Sequence, residues 1–242
     1  MSIDYGDRAR LGLLVPSGNS VAEPEIRAML PQGVTALVTR LELRGSSEAE
    51  LLGMLAALEP AARLLADARV ARIVFHCTAV STFAPHLAGE IRARIEAATG
   101  LPALATADAI LAALAVLRAR RVLLVTPYIA PVHAREVDFL AAHGVAVAGG
   151  EGLGIDSNAE MARLPPATIR DQALRAAAAA PGAEACFISC TAIRSAELIE
   201  GLEAALGMPV LTSNQAIAWH ALRQCGIGDA VPGFGRLLTL PG

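Results

Sequence analysis

Residues Phe75–Ser81 read F-H-C-T-A-V-S, and residues Ile188–Ser195 read I-S-C-T-A-I-R-S. An apolar residue, a polar one, Cys-Thr-Ala and an aliphatic residue thus recur 113 positions apart. Two further echoes run in the same order. Leu13-Leu14-Val15-Pro16 resembles Leu124-Val125-Thr126-Pro127, 111 positions later. Leu101-Pro102-Ala103-Leu104 with Ala109-Ile110 matches Met208-Pro209-Val210-Leu211 with Ala216-Ile217, at an offset of 107. One echo in an Ala- and Leu-rich chain is weak evidence; three in order indicate two similar half-domains.

The segments around these echoes alternate. β-rich runs lie at Leu11–Val15, Val34–Leu43, Arg72–His76, Arg121–Thr126, Val145–Ala148 and Glu184–Ser189, with shorter ones near Ala103 and Val210. Helix-like segments at Ser47–Ala68, Pro85–Ala98, Pro131–His143, Pro166–Ala179 and Ser195–Leu206 separate them. Strict β-α alternation predicts a mostly parallel sheet with helices on both faces. Strands buried on both faces need not alternate in polarity, and these do not. The Gly149–Gly154 run lacks the G-x-G-x-x-G order and is expected to be a flexible turn.

Ligands of open α/β sheets bind beyond the carboxyl ends of the strands. Cys77 and Cys190 each follow a predicted strand and precede a predicted helix. A pseudo-twofold between the halves would bring both thiols to one cleft from opposite sides. A helix N-terminus lowers a thiol pKa, so a reactive Cys77 thiolate is expected. Thr78 and Thr191 follow the two thiols and, with free backbone N–H groups, can bind carboxylate oxygens. Pro16-Ser17-Gly18-Asn19 closes the first strand, and Ser20–Glu23 fits a helix capping box. Thr126-Pro127-Tyr128 holds the same place in the second half. Asp156-Ser157-Asn158 precedes a helix. His76 should point away from Cys77 by strand alternation, into a core or supporting role. His86, His133, His143 and His220 share no spacing, Cys186 and Cys225 are expected to be packing residues, and Arg194 a solvated helix residue.

Bulk properties bound the function. The 242 residues can form one large or two small cores. With 54% apolar residues the chain is not disordered. Net charge is −3 and aromatics are 3%, which argues against a nucleic-acid partner. No apolar run reaches the ~20 residues of a membrane span. The opening M-S-I-D-Y-G-D-R-A-R lacks an apolar core of a secretion signal, so a cytoplasmic location is expected. All 20 basic residues are arginine, which removes lysine imines and a phosphate-loop lysine. Cys186 and Cys190 on one strand face stand ~13 Å apart, too far to share a metal ion.

Taken together, P-S-G-N ending at Asn19, the two Cys-Thr pairs at Cys77 and Cys190, T-P-Y ending at Tyr128 and S-N ending at Asn158 resemble the aspartate/glutamate racemase superfamily. Within it the chain is most similar to maleate cis–trans isomerases, over essentially its whole length. The resemblance implies no cofactor. It implies Cys77 as the nucleophile that adds to the alkene of maleate, giving a succinyl-cysteine, and Cys190 as the thiol that protonates the carbanionic carbon. Asn19, Tyr128 and Asn158 would bind the carboxylates, helped by Ser17, Thr78 and Thr191. The isomerase motif usually runs P-S-S-N-T-T, so Gly18, Ser20 and Val21 depart from it. Glutamate racemases open with D-S-G and carry His after the second Cys-Thr; Pro16 and Ala192 stand there instead. Arylmalonate decarboxylases share the fold but keep the second Cys alone, so Cys77 sets them aside. A two-cysteine racemase of an amino acid or hydantoin is the alternative reading. A non-catalytic small-acid binding protein is another, and would bind without turnover.

The expectation is therefore an α/β protein of two pseudo-symmetric flavodoxin-like βα half-domains, each with a parallel four-stranded sheet, around a central cleft. The first half-domain spans 1–105 and is completed by a returning segment, 213–242; the second spans 106–212. The partner is a small dicarboxylate, and Ala/Leu-rich helix faces suit a homodimer.

Overall fold

The computed structural model describes residues 3–43, 45 and 47–242. The first two residues of the stretch read for a leader lie outside it. The first half runs β1 (Ala9–Pro16), α1 (Ala22–Ala28), β2 (Val34–Leu41), α2 (Glu48–Gly53), α3 (Leu58–Asp67), β3 (Arg72–Phe75), α4 (Thr78–Ser81), α5 (Leu87–Thr99), β4 (Ala103–Ala105) and α6 (Thr106–Val116). The second runs β5 (Arg121–Tyr128), α7 (Ala130–Ala142), β6 (Ala146–Gly149), β7 (Gly152–Ile155), α8 (Asn158–Met161), α9 (Pro166–Ala179), β8 (Ala185–Ile188), α10 (Ile199–Leu206), β9 (Val210–Thr212) and α11 (Ser213–Gln224).

The repeat in sequence is a repeat in space. The first sheet has the order β2-β1-β3-β4 and the second β6-β5-β8-β9, all pairs parallel. In each half the strand before the Cys-Thr-Ala is central, and it is buried on both faces. Along β1, Leu11, Leu13 and Val15 face one core and Leu14 the other, as strand alternation dictates. The first core continues without a break into Val122–Val125 of β5, so the two halves share one apolar interior.

Two expectations need correction. The second sheet has five strands, because β7 also pairs with β5, at Thr126↔Gly152 and Tyr128↔Ile155. The Gly149–Gly154 run is therefore mostly strand: Gly149 ends β6, Gly152–Gly154 lie in β7, and Gly150-Glu151 alone connect them. Its glycines serve close approach: a Cβ on Gly150 would strike the Leu124 carbonyl, and one on Gly152 the Tyr128 carbonyl. The 47–68 segment is also not one helix. A single 3-10 turn (Met54–Ala57) separates α2 from α3.

The chain returns at its end. Helix α11 packs against both α6 and α1. Arg72 donates to the Gln224 carbonyl (3.0 Å), and Arg8 pairs with Asp229 (2.7 Å), both reaching from the first half. No helix among the described residues is long and apolar enough to cross a membrane.

Candidate active site

Cys77 is the N-cap of α4, in extended conformation, and its carbonyl accepts the Ser81 N–H (3.0 Å). Four residues make α4 a single turn, held by Ser81 Oγ and Thr82 Oγ1 donating to the Thr78 carbonyl. The Ala79 and Val80 N–H groups point at the Cys77 sulfur, as a helix start should provide. They do not prevail. Burial pushes the Cys77 thiol up to about 12, and Cys190 adds to this. The expected low-pKa thiolate is thus absent from this closed state.

Cys190 is held differently. No helix follows it directly, contrary to expectation: residues 191–193 form a turn, and α10 begins only at Ile199, after a short 3-10 segment. Arg194 therefore sits on a loop, paired with Glu197 and solvated. Cys190 has a φ of 157°, at the edge of the region glycine favours. Its N–H donates to Ser213 Oγ (3.2 Å), and its sulfur accepts the Ala192 N–H (3.2 Å) and a hydrogen bond from Tyr128. Burial again dominates and pushes this thiol up to about 12.

Both thiols line one cavity, with Thr78, Tyr128, Asn158 and Thr191 as its neutral polar groups. Asp156 also lines it, and the remaining walls include Pro16, Leu43, Leu51 and Met161. Water centres reach only about 20 Å³ of it, room for about one water. A four-carbon diacid needs more, so lining residues such as Leu43, Leu51 and Met161 would have to move apart to admit one. Met161 Sδ lies 3.8 Å from Cys190 Sγ and closes that side.

Two of the expected ligands stand back from the cavity. Ser17 is exposed and clasps the covering loop, its Oγ accepting the Leu43 N–H (3.1 Å). Asn19 is 1% exposed and supplies the cap that was assigned to Ser20. Its Oδ1 accepts the N–H groups of Val21 and Ala22 (2.9 and 3.0 Å), and its Nδ2 donates to Thr191 Oγ1 (2.9 Å). It thereby ties the first strand's end to the second Cys-Thr pair. The second Nδ2 proton remains to be offered. Gly18 abuts Asn158: a Cβ there would lie 3.3 Å from the Asn158 Cβ. The departure from P-S-S-N therefore touches a predicted carboxylate ligand.

The sequence reading missed the start of α11. Ser213 Oγ bonds Thr78 Oγ1 (2.9 Å) as well as the Cys190 N–H, so one hydroxyl joins both cysteine loops. Asn214 does the same one layer back. Its Oδ1 meets His76 Nε2 (2.8 Å), and its Nδ2 donates to Glu25 (2.7 Å) and to the Thr191 carbonyl (3.3 Å). His76 is fully buried and also meets Thr106 Oγ1 (3.1 Å); burial lowers its pKa to about 4. It is neutral, with Nε2–H donating to Asn214 and Nδ1 facing the Thr106 hydroxyl, whose proton is also offered to the Phe75 carbonyl (3.2 Å). The signal available in sequence was the echo itself, since Ser213 stands 107 positions after Thr106. Among the described residues no group of three His, Cys, Asp or Glu is placed to hold a metal ion.

The family model of arylmalonate decarboxylase matches residues 11–238. The chain belongs to the arylmalonate decarboxylase family. Within this family it is 40% identical to arylmalonate decarboxylase of Bordetella bronchiseptica over 141 residues, which is 58% of this chain and 59% of that protein. It is 34% identical to maleate isomerase of Nocardia farcinica over 242 residues, 95% of each chain. Among solved structures, a serine-for-cysteine variant of the Nocardia farcinica maleate cis–trans isomerase with a covalently bound succinylcysteine intermediate superposes with a TM-score of 0.89. That superposition is at 28% identity and covers 96% of this chain and 98% of that one. The family model thus carries the name that Cys77 had set aside, while the isomerases match over nearly the whole chain.

Proposed function

We propose that this chain is a cofactor-independent cis–trans isomerase of maleate or a similar small unsaturated dicarboxylate. The observation that carries this reading is the pair of thiols on one closed cavity, in a chain similar end to end to maleate isomerases. Opening hydrates Cys77 and removes the burial that holds its proton, leaving the Ala79 and Val80 N–H groups to favour the thiolate. The Cys77 sulfur then adds to one alkene carbon. The π pair moves onto the other carbon and its carboxylate, where Tyr128, Asn158 and the threonine hydroxyls stabilise the growing charge, with Asn19 holding Thr191 in place. Cys190 gives its proton to that carbon. The succinyl-cysteine rotates about the carbon–carbon bond that was the alkene and is now single. Cys190 takes the proton back, the C–S bond breaks, and fumarate leaves with no net change in protons or electrons.

One set of observations favours a second reading. The 40% identity to arylmalonate decarboxylase and the apolar walls Leu43, Leu51 and Met161 suit a substituted malonate. Loss of carbon dioxide would leave an enediolate for Cys190 to protonate.

Proton NMR separates the two. Maleate and phenylmalonate are incubated with wild type, Cys77→Ala and Cys190→Ala. Fumarate formed by wild type and lost in both variants is the expected result. Phenylacetate formed by wild type and retained in Cys77→Ala would replace the isomerase by the decarboxylase.

A further inference from the structure

Glu136 lies on α7 with Val132, Phe139 and Leu140, on the buried stripe of that helix, and is 1% exposed. Its Oε1 accepts the hydroxyl of Ser189 (2.5 Å), the residue before Cys190. Its Oε2 is buried with no partner. An anion so placed would leave one carboxylate oxygen without a hydrogen bond, which an apolar interior penalises. Glu25 offers the contrast. It stands 111 positions earlier, the same offset as Pro16 and Pro127, and so holds the equivalent place on α1. Glu25 accepts from the Ser195 and Ala196 N–H groups and from Asn214 (2.7, 2.9 and 2.7 Å). The repeat has thus kept two inward carboxyls, a half-buried one well supplied with donors and a fully buried one nearly bare.

We propose that Glu136 is a positioning residue for Cys190: a proton-holding carboxyl that fixes the second thiol's turn through Ser189, and whose charge decides how readily that thiol yields its proton. The inference rests on the assignment of Cys190 as the proton donor. When Cys190 protonates the carbanionic carbon, the C–H bond forms as the S–H bond breaks, and the electron pair stays on sulfur. A negative Glu136 opposes that new charge on Cys190 and holds the Tyr128 phenol up as well. Burial pushes Glu136 up to about 7, with the Ser189 hydrogen bond pulling the other way. The group is neutral below that value and charged above it, so the opposition appears as pH rises.

The surroundings contain little that would mask this. The strands packed on α7 bring Tyr128 and, at an exposed end, Arg121 from β5; β6 and β7 bring no titratable side chain. The β6–β7 connection carries Glu151, whose charge acts on His133. On α7 itself, His133 bonds Thr126, Arg135 is paired with Glu48, and Asp138 completes the set. Cys186 lies in β8, and Glu25 also acts on Cys190.

The test is peptide-resolved alkylation of each cysteine by iodoacetamide in the full chain, as wild type, Glu136→Gln and Glu136→Leu. The Cys190 rate in the Gln variant should match wild type near pH 6. It should exceed wild type by about three- to tenfold near pH 8.5, the equivalent of roughly half to one pKa unit. Cys77, which Glu136 reaches only through Cys190, is the internal control and should change less than Cys190 at both values. A Cys190 ratio that is the same at every pH overturns the proposal. If the Gln variant does not fold, Glu136→Leu is compared in the same way. Infrared spectroscopy of wild type adds an independent reading, since a protonated-carboxyl band must fade through about pH 7. Absence of that band at about pH 6 also overturns the proposal. Maleate turnover is followed in parallel. A pH-dependent Cys190 ratio without fumarate in any variant keeps Glu136 in its role and removes the isomerase instead.

Discussion

Cys77 and Cys190 are near twins in sequence and unlike in support. Cys77 relies on a helix start of its own, while Cys190 borrows a hydroxyl from α11 to hold an unusual φ. Removing that hydroxyl should hurt in two ways. Ser213→Ala leaves the buried Cys190 N–H without a partner, which costs about 1–3 kcal/mol. It also frees the second thiol loop and the Thr78 hydroxyl, so kcat should fall about tenfold and KM should rise as well. Steady-state kinetics and a urea melt check both parts; unchanged kcat would show that Ser213 does not position the thiol. The thiols and their threonines were legible because they are repeated. Ser213, Asn214, Glu25 and Glu136 were not, for physical reasons. Ser213 and Asn214 follow the N-cap of α11 and look like ordinary helix-start residues. Glu136 betrays itself only as an acid set among Val132, Phe139 and Leu140, and that pattern needs the helix face to be known.

At the scale of elements, β-α alternation was readable because each strand is a compact apolar run. Strand β7 was not, because its sequence G-L-G-I is half glycine and its partner is reached across a shift in register. Its position matters to the site, since β7 leads directly into α8, which carries Asn158 and Met161 over Cys190. Gly152→Val should push β7 away from the Tyr128 carbonyl and cost about 1–3 kcal/mol. The denaturation midpoint should fall, and KM for the substrate should rise as Asn158 moves. A variant as stable as wild type would mean that β7 tolerates a side chain at that crossing. A helix start after Cys77 was expected, but its length was not legible, because the single turn of α4 has no periodicity to detect.

For the whole molecule, two buried groups set opposing slopes of stability with pH. His76 has its folded pKa lowered to about 4, so it favours the native state above its ordinary value and loses that contribution as pH falls. Glu136 has its folded pKa raised to about 7, so its contribution is full at low pH and is lost as pH rises through that value. Each is worth about 3 kcal/mol over its range, and across about pH 4.5 to 6.5 they offset each other. Glu136→Gln removes one falling slope, so urea-measured stability should climb more steeply with pH than in wild type between about pH 4.5 and 7, although the raised Glu25 still opposes the lowered His76, His133 and His220. A profile no steeper than wild type would mean that Glu136 is not buried neutral. The helix that links the two cysteine loops has one more consequence, for how the protein is made. Both loops leave the ribosome before α11 does. Until Ser213 and Asn214 emerge and dock, neither Thr78 nor the Cys190 turn has the partner that fixes it. A chain halted during synthesis just short of α11 therefore carries both thiols without the contacts that order them, so the centre assembles only once α11 has been made.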